Sequence, residues 1–107
     1  MKETNWLRFT GNVRADQCNF AGLGAVDSNP TDANTFPDVR TGLRAQAQHL
    51  KAYASTLPLN NACVDVRFHL VTRGCAPYIE NLSGRWASSP TYGQSIVSMM
   101  NEMFKHI

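Results

Sequence analysis

Phe36-Pro37-Asp38-Val39-Arg40-Thr41-Gly42-Leu43-Arg44-Ala45-Gln46-Ala47-Gln48-His49-Leu50-Lys51-Ala52-Tyr53-Ala54-Ser55 carries apolar residues at the period of one helix face. Val39, Leu43, Ala47, Leu50 and Ala54 form that face, and Arg44, Gln48 and Lys51 lie opposite, so the pattern predicts a helix with the first set turned to the core. Asp38 is placed to cap its start, and Leu57-Pro58-Leu59-Asn60-Asn61 ends it. His49, midway along, reads as a boundary residue rather than a base.

Outward from this helix the chain stays mainly α. Downstream, Val64, Phe68 and Val71 predict a shorter helix from Cys63 to Thr72, stopped by Arg73-Gly74. A helical turn is expected over Ala76 to Leu82, then a loop at Ser83-Gly84-Arg85. Ser89-Pro90 opens a last helix whose stripe, Tyr92, Ile96, Met99, Met100, Met103, Phe104 and Ile107, runs to the end. Upstream, residues 1–9 read as the tail of a helix ended by Thr10-Gly11-Asn12, and residues 10–36 as a long loop or small β-flap. Within it, residues 26–35 are turn formers apart from Val26 and Ala33, and long loops inside small domains are more often functional than idle.

Composition narrows the function classes. With 107 residues, 43% of them hydrophobic, the chain is expected to form one domain with a modest core. Ten basic and eight acidic residues leave +2 with no basic run, which argues against a nucleic-acid partner while suiting an anionic polymer such as cell wall. No apolar stretch is long enough to span a bilayer, so membrane insertion is not expected, and no signal peptide is visible. Cys18, Cys63 and Cys75 cannot all pair within one chain; buried reduced thiols are the expected state, with a Cys63–Cys75 link as the alternative. His49, His69 and His106 are scattered, so a metal site is not expected.

Four short segments follow one another along the chain: Glu3-Thr4, Asn19-Phe20-Ala21-Gly22-Leu23-Gly24, Phe36-Pro37-Asp38-Val39-Arg40-Thr41-Gly42, and Ala87-Ser88-Ser89-Pro90-Thr91-Tyr92-Gly93. On these, across nearly the whole chain, the sequence resembles the glucosaminidase domain of bacterial and phage cell-wall hydrolases, glycoside hydrolase family 73, with its lysozyme-like helical fold. The family pattern has a Glu followed by Ser or Thr at the end of a core helix, then Asn-Asn-x-Phe-Gly-Ile, and a Tyr-Ala-Thr-Asp-Pro-x-Tyr segment before the last helix. Cys18 replaces the first Asn of the pair, Trp86 replaces the first Tyr, and only Met1 and Lys2 precede Glu3. The resemblance therefore implies a partial, N-terminally truncated domain, or one whose core is completed by something else.

What the resemblance implies is a peptidoglycan hydrolase that cleaves the bond after N-acetylglucosamine, an endo-β-N-acetylglucosaminidase acting without cofactor. Such chemistry needs a carboxylic acid kept protonated by apolar surroundings, and Glu3 fills that role with Trp6 and Phe9 near it in sequence. Asp27 or Asp32, in the loop expected to face the cleft, would assist attack by water. Asn19 and Phe20 are expected along the cleft, Asn19 fixing either a sugar or the loop; Trp86 and Tyr92 offer flat rings to sugar faces, with a core role for Tyr92 equally open. The implied setting is secretion to a bacterial wall, or a phage lysin, with the export signal elsewhere. A non-catalytic wall-glycan module and an oligomerising helical fragment are the alternatives. With so little chain before Glu3, the stripes of both long helices lack cover, which predicts self-association or marginal stability.

Overall fold

The carboxylate of Asp38 accepts the N–H of Thr41 at 2.7 Å and caps a helix, α1, that runs Val39–Ala54 as the sequence predicts. That contact lowers the Asp38 pKa from its ordinary value, with the backbone hydrogen bond of Thr41 as the largest cause and Arg40 and Arg44 assisting. The computed structural model describes residues 2–11, 13–24 and 33–107. Among these the chain is mainly helical: α1, a second α-helix, α2 (Tyr92–Phe104), and single 3₁₀ turns, with no strand. It divides into two compact units, Met1–Leu50 with Pro58–Val71, and Lys51–Leu57 with Thr72–Ile107.

In the first unit α1 is turned the other way from its apolar pattern. Gly42, Ala45, Gln48 and His49 are buried, whereas Val39, Leu43 and Leu50 are exposed. Close backbone approach explains the reversal: a Cβ on Gly42 would overlap the carbonyl oxygen of Cys18, so only the small-residue face can lie against that loop. Gln48 and His49 then do what apolar side chains cannot. Gln48 Oε1 accepts the N–H groups of Val64 (2.8 Å) and Asp65 (3.2 Å), and its Nε2 donates to the Ala62 carbonyl at 2.9 Å.

Those same contacts overturn the helix expected from Cys63 to Thr72. The N–H groups of Val64 and Asp65 are taken by Gln48, and that of Arg67 by the Asp65 carboxylate at 3.0 Å, so local capping replaces a helical ladder. Only Phe68–Leu70 forms a 3₁₀ turn. The loop read at 10–36 is loop in its described part, apart from the 3₁₀ turn Ala15–Gln17. It is laced by buried amides: Gln17 Nε2 donates to the Ala33 carbonyl at 3.1 Å, while its Oε1 accepts the Arg14 N–H at 2.7 Å.

The second unit is built on apolar packing. Ala76, Leu82 and Tyr92 form its buried cluster, with Tyr53, Cys75, Trp86, Ala87 and Ile96 packed around it. A 3₁₀ turn at Ile79–Leu82 lies against the start of α2, as close as Gly93 allows: a Cβ there would come within 2.5 Å of Ile79 O and Glu80 Cα. The last carbonyls of α1 find donors in the returning chain, Gly74 N–H to Ala52 O at 3.0 Å and Ala76 N–H to Tyr53 O at 2.8 Å. Arg73 covers the carbonyls of Ser55 and Leu57. The final stripe is buried only at its start, since Met103, Phe104 and Ile107 are exposed.

Candidate functional site

Glu3 lies in the 3₁₀ turn Lys2–Thr4 and is half-buried. The helix tail read over residues 1–9 is replaced by a tight turn, because Asn5, Trp6, Leu7 and Phe9 all have left-handed φ, which no continuing right-handed helix allows. Buried Thr4 anchors it: its Oγ1 accepts the Leu7 N–H at 3.1 Å and its carbonyl accepts the Phe9 N–H at 2.9 Å. Of the two aromatics expected to flank the acid, Phe9 is half-buried edge-on to Phe20, with centroids 6.3 Å apart, while Trp6 is exposed.

Asn19 is 1% exposed and fully occupied by its own loop. Its Nδ2 donates to the carbonyls of Leu23 (2.8 Å) and Asn34 (2.9 Å), and its Oδ1 accepts the Leu23 N–H at 2.9 Å. Of the two roles open to this amide, the geometry gives it the fixing of the loop. Phe20 stays half-buried beside Phe9. Glu3, Asn19 and Phe20 thus share the first unit. Asp27 and Asp32 lie outside the described residues.

Trp86 and Tyr92 come together in the second unit. Tyr92 takes the core role, buried in the apolar cluster, and Trp86 is half-buried, edge-on to Tyr53 at 5.9 Å. What sequence reasoning missed is the pair formed by His49 and Asp65 in the first unit. Nδ1 of His49 lies 2.6 Å from Oδ2 of Asp65, whose side chain is wholly buried. The sequence places His49 at a helix boundary face, and the fold buries it instead. Nothing local marks Asp65; only its place opposite α1, set by the Gln48 contacts, reveals it.

The cysteines are free thiols, but they are not uniformly buried: Cys18 and Cys75 are half-buried and Cys63 is exposed, giving its S–H to the Asp65 carbonyl at 3.4 Å. Among the described residues no group of three or more His, Cys, Asp or Glu side chains could hold a metal ion, and no helix is long and apolar enough to cross a membrane. In chemical terms the first unit offers a half-buried carboxyl group, an amide-fixed loop, and a buried imidazole–carboxylate pair that ties α1 to the 62–67 segment.

The chain is similar to an uncharacterized protein of Borreliella burgdorferi (strain B31), with 40% identity over 104 residues, 97% of this chain. It spans about half the length of that relative, 50%. No family model matches the sequence, and no solved structure matches it.

Proposed function

We propose that the chain is the glycan-cleaving part of a peptidoglycan hydrolase of the lysozyme-like glucosaminidase type, cutting after N-acetylglucosamine. The observation that carries this reading is the order of the four segments around Glu3, together with the half-buried position of Glu3 in the same unit as the Asn19-fixed loop. In this reading Glu3 protonates the glycosidic oxygen as the bond to the sugar breaks, and Asp27 or Asp32 takes a proton from the attacking water. Asn19 acts through the loop it holds, and Phe20 supports the turn after Glu3 through Phe9. The enzyme would work on the wall of a bacterium, delivered by secretion or by a phage.

The test is release of reducing ends from purified cell wall. Glu3→Gln keeps the shape of the side chain but cannot donate the proton, so turnover should fall by about a hundredfold or more while glycan binding persists. Undiminished hydrolysis by that variant removes Glu3 from the chemistry. Binding without hydrolysis by either protein points instead to a non-catalytic wall-binding module.

A further inference from the structure

Trp6 and Leu7 are each 50% exposed, at the tip of a turn whose backbone suits neither of them. Their φ angles are 60° and 66°, in the left-handed region that residues with a Cβ avoid, and bulky residues most of all. Asn5 and Phe9, on either side, are also left-handed, at 49° and 53°. Half the surface of Trp6 and of Leu7 stays in water all the same. The turn holds its shape through its ends: Thr4 is buried and binds the N–H groups of Leu7 and Phe9, Asn5 N–H donates to Lys2 O at 3.1 Å, and Asn5 Nδ2 donates to Thr10 Oγ1 at 3.0 Å. Phe9 pins the far end against Phe20. Strain maintained by anchored neighbours, and spent on keeping an indole in water, is a pattern associated with ligand sites.

We propose that Trp6, with Leu7 beside it, is a stacking subsite for an N-acetylhexosamine ring of a glycan chain. The proposal rests on the glycan-hydrolase reading and adds to it a named binding residue on the turn that leads out of the Glu3 segment. A flat indole matches the axial C–H face of a β-linked pyranose, and Leu7 offers an apolar neighbour for the acetyl methyl group. Because the strain serves display and not folding, stability and binding should move in opposite directions when it is relieved. That opposition separates a ligand role from a structural one.

The test uses the Glu3→Gln protein, so that the ligand is not consumed, and a soluble N-acetylglucosamine hexamer measured by calorimetry, with a glucose hexamer as control. Trp6→Ala should weaken hexamer binding about tenfold and Trp6→Phe by less than about threefold. Trp6→Gly and Leu7→Gly should each raise Tm by about 4 °C, since glycine takes left-handed φ without steric cost, while Trp6→Gly binds as weakly as Trp6→Ala. The inference is overturned if Trp6→Ala binds like its parent, if both glycine variants lower Tm, or if the glucose hexamer binds as well. If the Glu3→Gln protein ignores the hexamer while the unaltered chain cleaves wall, the subsite fails and the hydrolase reading stands. If neither binding nor cleavage occurs, both fall.

Discussion

Buried polarity separates the two units. Thr4, Gln17, Asn19, Gln48, His49 and Asp65 are buried in the first beside Val13, Ala21, Leu23, Ala33, Phe36 and Ala45, whereas the buried side chains of the second, Ala52, Ala76, Leu82 and Tyr92, all belong to hydrophobic residues. The first unit fixes its loops with amides that each bridge two or more backbone groups; the second gathers apolar surface around one cluster. Amide bridging sets backbone positions to within hydrogen-bond tolerance but adds little net stability, while apolar burial adds stability with less directional control. The unit that carries Glu3 therefore adds polar placement to its apolar burial, and the other relies on apolar packing alone.

The largest effects that could break this contrast come from matched substitutions. Asp65→Ala strips the carboxylate from His49 and from the Arg67 N–H at a wholly buried position, and should cost about 3 kcal/mol. Leu82→Ala keeps the chemistry but opens a cavity in the second unit, and should cost about 2–5 kcal/mol. Hydrogen exchange should then show the first substitution loosening residues 62–67 and the second loosening the start of α2. Equal loosening of both regions by both variants would erase the distinction.

A smaller and sharper effect concerns the reversed face of α1. Leu43 stands in the strongest apolar pattern of the chain yet is exposed, so Leu43→Ser should change stability by no more than about 0.5 kcal/mol in urea melts. A loss of about 2 kcal/mol or more would mean that Leu43, and not Gln48, faces the interior. If a partner or second copy covers that stripe, the cost should instead appear only as protein concentration rises.

The smallest effect is on pH. The folded-state pKa of Asp38 is lowered by its cap contact with Thr41, so its contribution to stability is complete above the ordinary carboxylate range and is lost as pH falls through the lowered folded value. Thermal melting should show Asp38→Ala destabilised at neutral pH and converging on the unaltered protein in acid. Asp38→Asn, still able to cap, should melt close to the parent near neutrality.

The span of α1, its Asp38 cap, the turn near residues 76–82 and the body of the last helix are legible from local signals, because caps and helical period act within a few residues; Ser89-Pro90, expected to open the last helix, lies just outside it, with Thr91 at its N-cap. The face of α1 is not legible, since burial of Gln48 and His49 depends on a segment 14 to 17 residues away that offers backbone groups to Gln48 and the Asp65 carboxylate to His49. The lost helix at Cys63 to Thr72 has the same origin. Of the site, Glu3, Asn19 and Phe20 were named from a motif, but the left-handed turn at Trp6 and the His49–Asp65 pair come from tertiary anchoring that no local pattern encodes. Tyr92 was read with two roles open, and only its packing against Ala76 and Leu82 decides between them.

The most direct measurement is the chemical identity of the ends released from purified peptidoglycan. After digestion and borohydride reduction, mass spectrometry should find reduced N-acetylglucosamine at the new ends with the unaltered chain, and about a hundredfold less with Glu3→Gln. New ends carrying reduced N-acetylmuramic acid, or equal release by both proteins, would contradict the proposed reaction or its acid.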